Sequence, residues 1–174
     1  MSIFERPQDG SARRKLGVYA VSALVAVLGQ TPVHASKRLV VSITDGDTLT
    51  VLTAGRSLKI RLAEIDAPER RQAFGTRSRQ ALASICFQKL AIVHHQGRDR
   101  YGRTVATVHC AGTDANAAQV RGGMAWVYDK YSTPDSPLYA LQDEARSARR
   151  GLWVDADPLA PWTWRRDAKE AQQR

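Results

Sequence analysis

Carboxylates and arginines cluster in three short segments of this chain, and their types suit attack on a phosphate ester. Segment 45–48 reads Asp-Gly-Asp-Thr, segment 61–69 holds an arginine, an aspartate and two glutamates, and segment 99–103 reads Asp-Arg-Tyr-Gly-Arg. Oxygen ligands can hold a hard divalent cation, guanidinium groups match phosphoryl oxygens, and a carboxylate can act as a base. Together these are the groups that hydrolysis of a phosphodiester requires.

None of the three segments is diagnostic alone. Asp-Gly occurs in many plain hairpin turns, an arginine on a half-buried strand often only faces solvent, and a glutamate after a proline turn is often a surface residue. The combination is far less expected by chance. It consists of Asp47, Arg61, Asp66, Glu69 and Arg103.

In order and spacing the segments resemble the staphylococcal nuclease family, over roughly residues 38–153. The resemblance implies a calcium site in which Asp47 and Asp66 are ligands and the backbone carbonyl of Ala67 is the third. The family's type member has threonine at this third position. Because a carbonyl ligand does not depend on its side chain, alanine should still allow binding, although contacts of the lost hydroxyl would change.

The resemblance also implies catalytic roles for Arg61, Arg103 and Glu69. The two arginines would stabilise the charge that builds on a five-coordinate phosphate. Glu69 matches the family's proposed general base, and whether it accepts a proton or mainly orders the attacking water stays open. The family cleaves DNA and RNA with little sequence preference and leaves 3′-phosphate ends, so the same activity is expected here.

Candidates for substrate binding lie near these residues in the sequence. Arg100 and Tyr101 come just before the second catalytic arginine and could contact a phosphate. Tyr131 is the first choice within the aromatic run 125–131, where the family carries base-stacking tyrosines, since aromatic faces stack bases with little dependence on sequence. Trp126, in the same run, is at least as well interpreted as a core residue.

The intervening residues predict the elements that position these side chains. Short β-branched runs separated by Asp-Gly and Ala-Gly turns predict a three-stranded meander, and apolar residues at helical spacing predict a helix after it. Thr113 or Asp114 can cap a second helix, and Pro137 suits the first turn of a third. The predicted strands are 38–43, 47–53, 57–64, 90–95 and 103–110, and the predicted helices are 74–89, 113–122 and 136–151.

This pattern favours a mainly β (α+β) fold, a five-stranded OB-type barrel with about three packed helices. The family that the motifs resemble has the same fold. The barrel domain is expected to span 36–156. The segment 157–174 is expected to be an irregular, aromatic tail.

The first 35 residues have the layout of a secretory signal. A basic triplet at 13–15 precedes an apolar run at 16–28, and small residues at 33 and 35 suit a cleavage site. Cleavage between Ala35 and Ser36 would export the protein to the periplasm or the medium. The apolar run is short for a membrane span, yet an uncleaved N-terminal anchor stays open as an alternative.

The chain has two cysteines, Cys86 and Cys110. In an exported protein such a pair favours a disulfide, and the alternative is two buried thiols, since free cysteine is commonly buried. Their number and spacing fit no zinc site.

The chain is basic, with a formal net charge of +9, and residues 36–174 contain 22 Lys and Arg against 15 Asp and Glu. A basic surface favours polyanions. The leading hypothesis is an exported, calcium-dependent nuclease that acts on DNA or RNA as a monomer, with no stable protein partner and no membrane association after signal cleavage. A non-catalytic nucleic-acid- or protein-binding module of the same fold is the alternative, but such modules lose the acids and arginines that are present here. A generic OB-fold protein that binds lipid or sugar would account for the charge but not for this set.

Overall fold

A computed structural model of the chain describes residues 37–173. The predicted signal segment, 1–35, and its cleavage site lie outside these residues. The described chain forms the strands β1 (Arg38–Ile43), β2 (Thr48–Thr53), β3 (Arg56–Leu62), β4 (Ile65–Asp66), β5 (Leu90–Arg98), β6 (Thr104–Cys110), β7 (Thr113–Asp114) and β8 (Trp126–Val127). It also forms the helices α1 (Gly75–Cys86), α2 (Ala115–Arg121), α3 (Leu138–Ser147) and α4 (Pro161–Ala171), with a short 3-10 turn at Gly151–Val154.

Five of these strands close into a barrel. Antiparallel neighbours follow the order β3-β2-β1-β5-β6, and β3 also pairs with β6 in parallel, which closes the sheet. On β6, alternate residues from Thr104 to Cys110 are buried, while those between them are partly exposed. This period of two puts one face of the strand into the core. The prediction of a five-stranded OB-type barrel is confirmed.

Helix α1 packs through one face, and a side chain that the sequence offers as a cap starts α2. Ser78, Leu82 and Cys86 form a buried stripe on α1 at a spacing of four residues. The side chain of Asp114 accepts a hydrogen bond of 3.0 Å from the N–H of Ala117 and so caps α2, which satisfies a donor that the first turn of a helix leaves free.

Between residues 37 and 173 no helix is long and apolar enough to cross a membrane.

A disulfide joins Cys86, the last residue of α1, to Cys110, the last residue of β6. The structure thus contains the bridge that the sequence favours over two buried thiols. The two cysteines are 24 positions apart, and closing a loop of that length stabilises the fold by roughly 3 kcal/mol in the chain-entropy model. The bridge fixes α1 to the barrel wall.

The expectation of an irregular tail at 157–174 is wrong. Residues Pro161–Ala171 form α4, a fourth helix beyond the three expected. Pro161 lies in the first turn, where its missing N–H costs no helical hydrogen bond and its fixed φ suits a helix. Clustered proline and tryptophan suggested irregular structure, but the proline starts the helix, and Trp162 packs onto aromatic residues of the domain.

Candidate active site

The turn between β1 and β2 positions the first predicted ligand, Asp47. Its Oδ1 accepts a hydrogen bond from Thr48 Oγ1 at 2.9 Å, and its Oδ2 accepts one from the N–H of Ala67 at 3.0 Å. A Cβ at Gly46 would collide with the side chains of Ser78 and Ala67. The glycine between the two aspartates therefore lets the turn pack closely against α1.

Arg61, on β3, lies between the two predicted ligands. Its NH2 donates to Asp66 Oδ1 at 3.0 Å, its NH1 lies 3.4 Å from Asp47 Oδ2, and NH1 also donates to the carbonyl of Ile65 at 2.9 Å. The side chain of Arg61 is 14% exposed and that of Asp66 is 2% exposed. Because several fixed acceptors hold the planar guanidinium, Arg61 has a defined orientation in the site.

The carboxylates repel one another in this partly buried setting. Burial raises the pKa of Asp66, a hydrogen bond from Arg165 opposes that rise, and the charge of Asp47 adds to it. Burial, followed by the charge of Asp47, raises the pKa of Asp45 to about 7. Upward shifts of this kind occur where burial and a neighbouring carboxylate both disfavour the charged form. A cation held by these carboxylates would favour their charged form.

Arg103 reaches the site from the loop between β5 and β6. Asp99 holds it twice, because Asp99 Oδ1 accepts from the Arg103 N–H at 2.9 Å and Oδ2 accepts from Arg103 Nε at 2.6 Å. Arg103 NH1 donates to Thr48 Oγ1 at 3.3 Å. The exposed ring of Tyr101 lies 5.6 Å from the Arg103 guanidinium, and Arg100 donates to the Tyr101 hydroxyl at 2.7 Å. The structure thus puts these two predicted substrate residues beside Arg103.

Glu69 lies on the solvent side of the site, with its side chain 42% exposed. Its Oε1 accepts a hydrogen bond from Arg165 NH1 at 2.8 Å, while Arg165 NH2 donates to Asp66 Oδ2 at 2.7 Å. Arg165, which lies on α4, was not among the predicted site residues. The sequence does contain a signal for a helix with arginines on it, because a proline suited to a helix start is followed one turn later by two arginines.

An aromatic cluster holds the start of α4. The rings of Trp162 and Tyr128 are stacked, with centroids 5.1 Å apart and an angle of 7° between their planes. The centroid of the Trp126 ring lies 5.7 Å from that of Trp162. The predicted base-stacking residue Tyr131 belongs to this cluster, with its ring 5.1 Å from Tyr128 and 64% of the residue exposed. Trp126 packs against Trp153 in the half-buried position that its interpretation as a core residue anticipates.

The predicted catalytic and carboxylate residues form one connected series of hydrogen bonds and ion pairs, which we call the site network. Thr48 and Arg165 complete it, although neither was predicted as a site residue. The network runs through Arg103, Thr48, Asp47, Arg61, Asp66, Arg165 and Glu69, in that order. Three separate sequence segments and the C-terminal helix therefore converge on one site.

The donor set of this site fits a hard divalent cation. Among residues 37–173, no three His, Cys, Asp or Glu side chains converge into a ready-made metal cage. Asp47 and Asp66 nevertheless supply two buried carboxylates that share one guanidinium, and the N–H of Ala67, the residue whose carbonyl is the third predicted ligand, donates to Asp47. Oxygen ligands of this kind, with water and phosphate in the other positions, suit calcium.

Comparisons with known proteins agree with this arrangement. Residues 59–155 match the family model described as "Staphylococcal nuclease homologue". The chain is 44% identical over 163 residues to a protein of Shigella flexneri named "Micrococcal nuclease", covering 87% of this chain and 94% of that protein. It is 42% identical over 158 residues to an "Uncharacterized endonuclease" of Haemophilus influenzae, covering 90% of this chain and 88% of that protein.

Proposed function

This chain belongs to the staphylococcal nuclease family, and on that premise we propose that it is a calcium-dependent nuclease. It hydrolyses phosphodiester bonds of DNA, RNA or both with little sequence preference. The observation that carries this proposal is the site network, in which hydrogen bonds and ion pairs connect two carboxylates, two arginines and a glutamate through Thr48 and Arg165. A binding module without catalytic activity has no need of such a set.

The carboxylates of Asp47 and Asp66 would hold the cation, together with the carbonyl of Ala67. When bound, calcium supplies Lewis acidity at a phosphoryl oxygen and lowers the pKa of a coordinated water. The protein holds these carboxylates before substrate arrives, because Thr48 and the Ala67 N–H fix Asp47 while Arg61 fixes Asp66.

Arg61 and Arg103 stabilise the charge that builds on the phosphoryl oxygens in the five-coordinate transition state. Arg61 pairs with Asp47 and Arg103 donates to Thr48, whose hydroxyl donates to Asp47, so both guanidinium groups adjoin the same pair of residues. Because the hydrogen-bonded neighbours of each arginine already orient it, little reorganisation is needed as the reaction proceeds.

Glu69 accepts a proton from the attacking water or holds that water in line. The water oxygen bonds to phosphorus, the bond from phosphorus to the leaving ester oxygen breaks, and a proton from solvent restores the leaving hydroxyl. Because Glu69 is exposed, it can release the proton taken from the water to solvent. Arg100, Tyr101 and Tyr131 bind flanking parts of the nucleic acid through phosphate contacts and base stacking.

A degradation assay on four substrates tests the proposal. We expect the protein to degrade single- and double-stranded DNA and RNA when calcium is present at about millimolar concentration, a range typical of weak calcium sites with several water ligands. Excess chelator should stop cleavage and added calcium should restore it. Full cleavage in excess chelator would rule out the cation's role. Binding of nucleic acid without cleavage under any of these conditions would favour the non-catalytic module.

We also propose that the protein is exported and that its mature chain begins at Ser36. The basic triplet at 13–15, the apolar run at 16–28 and the small residues before position 36 support this. A nonspecific nuclease would damage the genome of its own cell, so export fits the chemistry. N-terminal sequencing of protein from the periplasm or the medium should read Ser-Lys-Arg-Leu. Recovery of a membrane-bound product that retains Met1 would show an anchored enzyme instead.

A further inference from the structure

Arg165 is a cation in the site that comes from outside the segment matched by the family model, which ends at residue 155. Its guanidinium donates to both oxygens of Asp66, at 2.7 and 3.3 Å, and to Glu69 at 2.8 Å. One planar group therefore bridges a proposed calcium ligand and the proposed base. Neither the metal chemistry nor the two catalytic arginines account for this contact.

The bridge differs from an ordinary surface ion pair. The Asp66 side chain that Arg165 reaches is 2% exposed, so the bond forms with a buried carboxylate. The next residue, Arg166, provides the comparison, because its side chain is 64% exposed and it pairs with Asp167 and Glu170 of its own helix. Exposed pairs of that second kind contribute little.

The start of α4 is held firmly enough to direct Arg165. Trp162, three residues earlier on the helix, stacks on Tyr128. Gln72 Nε2 donates to the carbonyl of Leu159 at 2.6 Å, and Gln72 Oε1 accepts from the N–H of Glu69 at 3.1 Å. One glutamine thus ties the chain before α4 to the backbone of the residue that Arg165 contacts.

We propose that Arg165 is a positioning residue, which holds Glu69 at a fixed distance from Asp66. The inference rests on the proposed function. Glu69 is half-exposed on a turn, and without a partner its side chain would sample several rotamers. The fork of Arg165 restricts it to the one that faces the calcium ligand. The positive charge of Arg165 also repels a calcium ion at Asp66. Arg165 therefore fixes the position of Glu69 but lowers the affinity for calcium.

Three single variants separate geometry from charge. Arg165→Gln removes both, Arg165→Lys keeps the charge without the fork, and Arg166→Gln removes a neighbouring charge outside the site. Arg165→Gln should lower kcat by about 10–100-fold, because Glu69 loses its fixed position and small misplacements of a catalytic group are costly, with little change in KM. Arg165→Lys should recover part of kcat, and Arg166→Gln should match the wild type.

Calcium affinity gives a second readout that does not depend on activity. Titration of calcium into the nucleic-acid-free protein, followed by calorimetry or by the fluorescence of Trp162 and its neighbours, should give a dissociation constant about 3–10-fold lower for Arg165→Gln, because a repelling charge is gone. Arg165→Lys should bind calcium like the wild type. If the substitutions only unfolded α4, the Arg165→Gln and Arg165→Lys variants should have the same calcium affinity.

A double-mutant cycle shows whether Arg165 acts through Glu69. If it does, Arg165→Gln combined with Glu69→Gln should be no slower than Glu69→Gln alone. Strictly additive losses would overturn the proposal. So would a higher kcat for Arg165→Gln, which would make the helix an inhibitory cover, or unchanged kcat and calcium affinity, which would make the bridge a passive ion pair. A wild-type protein without calcium-dependent cleavage would overturn the proposed function as well, whereas an active wild type with unaffected variants would overturn this inference alone.

Discussion

Replacing Asp66 with asparagine should lower the rate of calcium-dependent cleavage at least about 10³-fold, since Lewis acid stabilisation by a bound cation contributes several kcal/mol to the transition state. Asparagine keeps the size of the side chain but removes the charge that holds the cation. Substitution of Asp66 should lower the cleavage rate more than substitution of Asp47, because the buried oxygens of Asp66 contact both Arg61 and Arg165. The measurement is kcat on a defined DNA substrate across a calcium titration.

The expected loss must come from chemistry and not from unfolding. Asp143→Asn is the matched control, since it removes the same charge from an exposed position on α3 and should leave kcat and the calcium requirement unchanged. Thermal unfolding of calcium-free Asp66→Asn should remain a single cooperative transition. If the variant is folded and cleaves at the wild-type rate with the same calcium requirement, Asp66 is not a ligand.

The barrel was predictable because its signals are local. The strands Arg38–Ile43, Thr48–Thr53 and Arg56–Leu62 are short β-branched runs separated by glycine-containing turns, and each such signal fixes one element independently of the rest. The cap on α2 is equally local, since Asp114 bonds to an N–H three residues away. The boundary of β3 was set two residues too late, because Glu64 adopts a φ of 62° and turns the chain toward β4.

The identity of the predicted site residues came from motif resemblance, whereas the contacts among them depend on the fold. No local pattern places Arg103 beside Thr48, 55 positions earlier in the chain. Arg165 was missed for the same reason, because its partner Asp66 is 99 positions away. A helix that starts at a proline can be anticipated from sequence, but the side of the barrel on which it packs depends on ring stacking between Trp162 and Tyr128, which only the assembled structure provides.

Arg103 is the cleaner of the two arginines for a test of transition-state stabilisation. The side chain of Arg61 is 14% exposed and contacts two carboxylates and two backbone carbonyls, so its loss would leave buried charges unpaired and would disturb folding. Arg103 is 24% exposed, and its carboxylate partner, Asp99, is in a surface loop. Its removal therefore changes the site with less damage to the fold.

Arg103→Ala should lower kcat by about 10²–10³-fold, the usual loss when one preorganised donor is removed from a charge-stabilising site, and should change KM only modestly. The reason is that a guanidinium gains most from the extra negative charge that appears on the phosphoryl oxygens in the transition state. Arg56→Ala is the control. Arg56 is exposed and lies opposite Thr53 at one end of the β2–β3 hairpin, whereas the site residues Thr48 and Arg61 lie opposite each other at the other end. The control substitution removes the same net charge from the surface and should leave kcat unchanged. If Arg103→Ala raises KM while kcat stays at the wild-type value, Arg103 binds ground-state substrate and stabilises no transition state.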